Sequence, residues 1–249
     1  MTTKAKLKLG FTLAEVLITL GIIGVISAMT LPMLAQHQKN TTVSKLKEIY
    51  AILSQAKIMT EQEWGTFDTQ LSSEKFFKTY FAPHLKVVNT CRNRQECYGE
   101  AIPHAIDRKT IIKLPNYVVT LMNGAFVGTY SVPGGSMFFV DINGKAQPNV
   151  SGKDIFYFYL INTSTITTSN GCKDALEKLK SFESGLFPGG YDSCYIPHAS
   201  LTREKLLDKS THRACSQNAA EINNGGTGGD ACAALIMKDN WRISPDYPW

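Results

Sequence analysis

The chain has 249 residues, of which 43% are hydrophobic and 19% charged, a composition typical of a folded protein. Its formal net charge is +5, but three basic residues, Lys4, Lys6 and Lys8, lie in the first ten positions. Without them 23 basic side chains stand against 21 acidic ones, which leaves a net charge of +2. The other basic residues are scattered, so the composition excludes the basic stripe of a nucleic-acid-binding protein, and we expect no specific nucleic-acid partner.

A long apolar stretch follows these lysines. Residues 11–35 (FTLAEVLITLGIIGVISAMTLPMLA) contain a single charged side chain, Glu15. A helix of this length would reach roughly 38 Å, which exceeds the hydrocarbon core of a bilayer at about 30 Å. Because the preceding lysines favour a cytoplasmic amino end, we predict a single transmembrane helix with the rest of the chain on the far side of the membrane.

Three interpretations compete for this stretch: a secretory signal, a plain signal anchor and a prepilin signal. A secretory signal requires small residues at its cleavage site, and the region around Ser27 and Ala28 matches that requirement poorly. Glu15 would lie inside the apolar segment of a secretory signal or a plain anchor. A carboxylate in that position costs a few kcal/mol unless it is paired, so Glu15 requires a specific partner.

The residues around Glu15 carry a family resemblance. Gly10, Phe11, Thr12, Leu13 and Glu15, followed by the apolar run, resemble the prepilin cleavage and methylation signal of type IV pilins and type II secretion pseudopilins. The resemblance implies that the prepilin peptidase/methyltransferase removes residues 1–10 by cutting after Gly10 and methylates the new amine of Phe11. It also implies that Glu15 pairs with that amine on a neighbouring subunit, where two opposite charges in apolar surroundings neutralise each other.

Two residues inside the apolar stretch, Gly24 and Pro32, weaken a helix. Glycine costs about 1 kcal/mol in a helix interior, and proline removes a backbone hydrogen bond. The resemblance implies that the stretch between them can become extended when subunits pack. The alternative is that Gly24 is a helix contact and Pro32 a simple kink.

Residues 36–249 are predicted to form a periplasmic pilin-like domain, which begins with an amphipathic helix over residues 36–64. Apolar residues recur there at spacings of three and four, namely Val43, Leu46, Ile49, Tyr50, Leu53, Ala56 and Met59. The apolar stripe is predicted to cover a sheet. A second helix is predicted over residues 73–81, where aromatic residues repeat before Pro83.

Four strands are predicted after these helices, over residues 117–122, 125–132, 137–142 and 155–161. Asn123 and Gly124 between the first two strands favour a tight primed turn, in which both residues take positive φ. The fold class is therefore α+β, with one long helix packed on a four-stranded antiparallel sheet, as the pilin resemblance also implies. Short helices are predicted near residues 174–182 and 202–209, and a glycine-rich loop over residues 223–229.

All six cysteines lie after the apolar stretch and would share one compartment. Their spacing contains no CxxC pair, which favours disulfides outside the cytoplasm over a zinc site. Six cysteines permit 15 connectivities. We predict a disulfide-rich carboxy-terminal region and local pairing of all six cysteines, as Cys91–Cys97, Cys172–Cys194 and Cys215–Cys232.

Candidates for chemistry elsewhere are weak. Asp141, Asn143 and Asp154 carry the oxygen atoms that calcium prefers, but the pattern fails as an EF-hand because Lys145 occupies a ligand position, so a hairpin loop is favoured over a metal site. The five histidines are dispersed and no catalytic motif appears, so we expect neither an enzyme nor a cofactor. The aromatic carboxy-terminal tail is predicted to pack on the domain rather than to bind a partner.

The sequence therefore predicts a structural subunit of a type IV pilus-like filament or a type II secretion pseudopilus. It would be a minor or specialised subunit, held in the bacterial inner membrane by a single pass and then polymerised. Expected partners are the peptidase/methyltransferase, other pilin or pseudopilin subunits and an inner-membrane assembly platform. The alternative is a membrane-anchored or filament-displayed binding module, such as an adhesin or a receptor for DNA or secreted substrates. The sequence leaves open whether the filament is a surface pilus, a secretion pseudopilus or a DNA-uptake fibre.

Overall fold

The computed structural model describes five stretches of the chain, residues 11–68, 70–132, 135–161, 185–219 and 228–249. The chain divides into two compact units, Met1–Thr41 and Thr42–Trp249. The first unit contains the beginning of a long helix. The second contains the end of that helix together with a sheet and several short helices.

Helix α1 spans Leu13–Trp64, a length of 52 residues. In the first unit its side chains are exposed on all sides. In the second unit it is amphipathic, and its buried side chains follow one another at spacings of three or four: Val43, Leu46, Ile49, Leu53, Ala56 and Thr60. The predicted amphipathic helix is thus confirmed.

One residue of the predicted apolar stripe was assigned wrongly. Met59 keeps 38% of its surface exposed, whereas Thr60 is 1% exposed. Thr60 continues the spacing of four from Ala56, while Met59 is turned about 100° away from it. The Thr60 hydroxyl is satisfied in the core because the carbonyl oxygens of Ala56 and Tyr80 both lie within hydrogen-bond distance and either can accept its proton. A hydroxyl with such partners is tolerated where the sequence pattern suggested methionine.

An aromatic segment follows α1. Helix α2 spans Ser73–Phe76, and the chain then continues as a π-helical turn over Phe77–Phe81 and a 3₁₀ turn over Ala82–His84. The prediction of one helix over residues 73–81 is therefore right in position, but its second half has the wider π-helical turn. Phe81 is fully buried and meets Phe138 edge to face, with ring centroids 4.6 Å apart.

Within the described residues the sheet has six strands in chain order, and each is antiparallel to its neighbours. The strands are β1 Val87–Cys91, β2 Val118–Leu121, β3 Phe126–Val132, β4 Gly135–Asp141, β5 Ile155–Ile161 and β6 Gly185–Pro188. The four predicted strands correspond to β2–β5. The α+β class and the antiparallel meander are confirmed, and the predicted number of strands was wrong.

The two strands that the sequence did not predict are the edges of the sheet. Three of the five residues of β1 are exposed, and a register irregularity lies between Val87 and Asn89, so the strand lacks the apolar alternation that marks a buried strand. Strand β6 has only four residues and ends in Pro188, a residue that strands accept at an edge. An edge strand exposes unpaired backbone groups, and a short length and polar side chains discourage another chain from pairing with them. The same features make edge strands hard to predict from the sequence.

The connection between β2 and β3 differs from the predicted primed turn. Gly124 has φ 85°, but Asn123 is not at positive φ. The amide of Gly124 donates to the carbonyl of Leu121 (2.9 Å), and the Asn123 side chain accepts from the amide of Ala125 (3.2 Å). A single glycine at positive φ is therefore sufficient to close this hairpin.

Both faces of the central strands are buried. Alternate residues of β4, such as Phe138 and Val140, belong to the core that contains α1, whereas Met137 and Phe139 belong to a second core on the opposite face. Three short helices complete the described domain: α3 Arg94–Tyr98, α4 Arg203–Leu207 and α5 Cys232–Lys238. Helix α3 contributes to the second core and α5 to the first. Burial on two faces explains why β5 reads as an unbroken apolar run.

Replacing Leu53 with alanine tests the packing of α1 on the sheet. Leu53 is 0% exposed, so Leu53→Ala should lower the free energy of unfolding by about 2–5 kcal/mol through the cavity it leaves. The matched control is Ile58→Ala on the same helix, where the side chain is 46% exposed, and its effect should stay within about 0.5 kcal/mol. Urea unfolding of the full chain in a non-ionic detergent, followed by circular dichroism, gives both values. Equal effects would contradict the assigned buried stripe.

Candidate functional site

The most distinctive surface of the molecule is the first part of α1. Its large apolar side chains are exposed from Leu13 to Leu34, and Phe11 before them is 89% exposed. This part of α1 is the one segment of the described chain that is long and apolar enough to cross a membrane, and none of it is buried. A secretion signal near an amino terminus shares these properties. The segment could therefore serve as a membrane anchor or as a signal sequence.

Glu15 lies in the first turn of this helix and forms a capping box with Thr12. The Thr12 amide and hydroxyl both donate to Glu15 Oε2 at 2.8 Å, and the Glu15 amide donates back to the Thr12 hydroxyl at 3.3 Å. Threonine at the N-cap with glutamate three residues later satisfies backbone donors that a helix end leaves unpaired. Sequence reasoning missed this role, although the T-x-x-E spacing is its signal. Gly10 lies outside the described residues.

Gly24 and Pro32 both lie inside α1, which is helical throughout the stretch between them. A Cβ added at Gly24 would meet no atom of the described residues within 4 Å beyond the neighbouring helix backbone, and the same holds for Gly21. At these two glycines the helix backbone is therefore bare, because no side chain covers it. Pro32 has no amide hydrogen to donate to the carbonyl of Ala28, so one helical hydrogen bond is absent there. Extension of this stretch on packing stays a prediction.

Two of the three predicted disulfides are present, Cys91–Cys97 and Cys215–Cys232, with Cα atoms 5.4 and 4.7 Å apart. Cys194 is also disulfide-bonded. Cys172 lies outside the described residues, so the pair Cys172–Cys194 stays a prediction. The Cys215–Cys232 bond joins residues 17 apart and ties α5 to the chain before it, and a closed loop of that size contributes about 3 kcal/mol to stability in chain-entropy models.

The weak calcium candidates lie close together but bond to protein groups. Asp141 is fully buried and accepts from the Tyr98 hydroxyl at 2.6 Å and from the Asn143 amide at 3.1 Å. Asp154 accepts from the amides of Asn149 and Val150, both at 2.7 Å. Within the described stretches, no group of three or more His, Cys, Asp or Glu residues is placed to hold a metal ion. The contacts shown organise the loop between β4 and β5.

This arrangement shifts the pKa of both carboxyl groups. Burial raises the pKa of Asp141 well above its usual range, and the nearby charge of Asp154 raises it further. Burial also raises the pKa of Asp154, against the opposing effect of its two backbone amides. Like charges in a buried site disfavour ionisation of both groups. Because the pKa of Asp141 is the more strongly raised of the two, Asp141 is the carboxyl that holds its proton more tightly.

Two of the histidines, His84 and His198, make contacts with different partners. His198 is fully buried, its Nε2 lies 3.0 Å from the carbonyl oxygen of His212, and burial lowers its pKa to about 3. His84 Nε2 lies 3.5 Å from a carboxylate oxygen of Glu63. His198 is therefore a neutral core residue at physiological pH.

The aromatic tail packs on the domain, as predicted. Tyr247 is 4% exposed and donates to the carbonyl of Gly152 at 2.6 Å, while Trp249 lies under the ammonium group of Lys153. Arg203 holds the same segment through hydrogen bonds of 2.6 Å to Asp239 and to Asp246. These contacts give the tail a structural role.

The comparison with known proteins identifies one family. The model of DUF6613, described as a family of unknown function, matches residues 32–249. No curated protein matches the chain, and no solved structure does.

The buried carboxyl pair predicts a pH dependence of stability. The folded state raises the pKa of Asp141 above its ordinary value of 3.8, so its stabilising contribution is complete below about pH 3.8 and is lost as the pH rises through the raised pKa. The substitution Asp141→Asn removes the ionisable carboxyl group from this position. The free energy of unfolding of this variant relative to the native chain should therefore increase with pH, by up to about 1.4 kcal/mol per pH unit inside that window.

Urea unfolding of the native chain and of Asp141→Asn at about pH 5 and about pH 8 measures this difference. Glu204→Gln provides the control because Glu204 is exposed and hydrogen bonds hold its pKa below the ordinary value, so it stays ionised and its difference should be the same at both pH values. A difference for Asp141→Asn that does not grow with pH would contradict the buried, protonated carboxyl.

Proposed function

We propose that this chain, which belongs to DUF6613, a family of unknown function, is a structural subunit of a type IV pilus-like filament or a type II secretion pseudopilus. The observation that carries the proposal is the exposed apolar part of α1, together with an acidic residue in its first turn and the pilin-like Gly10-Phe11 sequence before it. A surface of this kind is stable only in lipid or against other apolar surfaces. A filament subunit uses both environments in turn.

In this proposal the chain first resides in the bacterial inner membrane. The peptidase/methyltransferase removes residues 1–10, and the domain after α1 lies in the periplasm. Cleavage leaves an amine at Phe11, four positions from Glu15. The prepilin resemblance and the run of apolar residues after Glu15 support this order of events.

The capping box is compatible with a second role of Glu15. Both hydrogen bonds from Thr12 go to Oε2, and within the described residues Oε1 has no hydrogen-bond partner. An amine from a neighbouring subunit could therefore bond to Oε1 while the cap stays intact. Pairing of this kind lowers the cost of holding a carboxylate in an apolar environment, so it would set the register between subunits.

The bare backbone at Gly21 and Gly24 supports helix-to-helix packing. Small residues allow apolar helices to approach closely, and in a lipid environment such contacts rest on van der Waals packing. Assembly would exchange lipid contacts of α1 for contacts with the same segment of other subunits. An inner-membrane assembly platform would bring the subunits together.

Replacing Glu15 with glutamine separates the two roles of this residue. Glutamine keeps a side-chain acceptor for the capping box but removes the charge. Glu15→Gln should abolish incorporation into filaments, because it leaves the Phe11 amine of the neighbouring subunit unpaired in an apolar site, at a cost of about 3 kcal/mol or more. Immunoblots of sheared filaments and of membranes from the native host measure incorporation and total protein.

The matched control is Thr12→Ser, which keeps both the hydroxyl cap and the charge and should assemble as the native chain does. If Glu15→Gln reached filaments at the native level, Glu15 would be a helix cap alone and the pairing between subunits would be wrong. If both variants failed to accumulate in membranes, the defect would lie in insertion instead of assembly, and the charge-pair proposal would likewise fail.

A further inference from the structure

A small cleft lies on the face of the sheet opposite α1. Its volume is about 250 Å³. The walls consist of three tyrosines, Tyr130, Tyr157 and Tyr191, together with Val132 and Met137. This size suits a small metabolite rather than a drug-sized molecule or a peptide. The aromatic walls suit a flat ring.

Two cations complete the lining, Lys113 and Arg213, and none of the described residues that line the cleft is acidic. Asp230 is fully buried, and its carboxylate accepts from Arg213 Nη1 at 3.1 Å. That carboxylate offsets one of the two positive charges. The cleft therefore keeps a net positive charge next to apolar walls, and such a combination favours an anion over a neutral molecule.

Arg213 is held in place from two sides. Besides the bond to Asp230, its guanidinium lies 5.5 Å from the centre of the Tyr191 ring, in a cation–π contact. Arg213 has φ 53°, a left-handed conformation that is uncommon for arginine and that often marks functional positions. Its side chain keeps 22% of its surface exposed, so the guanidinium is both fixed and reachable.

The hydrogen-bonding capacity of this guanidinium is not used up. Its Nε is buried and has no hydrogen-bond partner within the described part of the chain. Arginine carries more N–H donors than the bond to Asp230 uses, and because the side chain is 22% exposed, its accessible N–H groups can donate to an acceptor that enters the cleft. A carboxylate matches the planar fork of arginine, and it can be joined to the flat ring that the aromatic walls suit.

We infer that this cleft binds a small aromatic carboxylate, whose ring lies among the three tyrosines and whose carboxylate faces Arg213 and Lys113. The inference rests on the cleft alone and does not depend on filament assembly. The residues that line the cleft come from strands β3, β4 and β5 and from three positions outside these strands, Lys113, Tyr191 and Arg213, so they meet only in the folded domain. Binding would therefore require the native fold.

Isothermal titration of the full chain in a non-ionic detergent tests the inference, with benzoate as the probe. Benzamide has the same ring without the charge, and acetate has the charge without the ring. Both should bind roughly tenfold more weakly than benzoate or not at all, because each lacks one of the two recognised features. Inorganic phosphate that bound as tightly as benzoate would overturn the aromatic class.

Two variants locate the binding. Lys113→Gln changes an exposed side chain and should weaken benzoate roughly threefold, while Arg213→Lys keeps a cation beside Asp230 but loses the planar fork and should weaken benzoate roughly tenfold. Lys145→Gln is the matched control, since Lys145 is exposed and does not line the cleft, and it should bind as the native chain does.

Thermal unfolding of each variant shows whether the fold is kept. If Arg213→Lys unfolds, Lys113→Gln alone decides the location of the site. Absence of benzoate binding up to about 10 mM, or equal binding to the native chain and to a folded Lys113→Gln variant, would overturn the inference.

Discussion

The structure depends on one constraint, which is that the apolar surface of α1 before residue 42 has no partner among the described residues of its own unit, 11–41. Its large apolar side chains are exposed from Leu13 to Leu34. Water cannot be the final environment of such a surface, because exposed apolar area is unfavourable in proportion to its size. A membrane or a set of identical helices would remove it from water. The proposed filament subunit would satisfy this constraint, and the capping box of Thr12 and Glu15 defines the first turn of the helix.

The second unit buries its own apolar side chains without using the exposed apolar surface of α1. The sheet is covered on one face by the later part of α1 and by α5, and on the other face by α3 and the segments around Tyr191. Burial on both faces fixes the central strands. It also traps polar groups such as Asp141, which must then find partners such as the Tyr98 hydroxyl. The same second face carries the tyrosine-lined cleft, so a binding site can be built there without any change to α1.

The sequence predicted the elements that a local pattern specifies. Strand β5 was placed at both of its ends because seven consecutive apolar residues leave one plausible range, and the α1 stripe followed the helical spacing to within one residue. The edge strands β1 and β6 were not predicted because an edge strand needs little apolar character. The sequence did not predict the cleft either. Lys113, Tyr191 and Arg213 share no local signal, and only the folded chain brings them together.

The mature amino terminus tests the central claim most directly, because the two roles open to the apolar helix predict different ends. Intact mass and amino-terminal sequencing of the protein purified from native membranes would identify it. A filament subunit should begin at Phe11, carry one methyl group on its amine and keep the whole of α1. A chain that began near Ala28 or beyond would have lost the helix as a secretory signal, and a chain that still began at Met1 would be a plain anchor. Either of those two ends would contradict the proposed filament subunit.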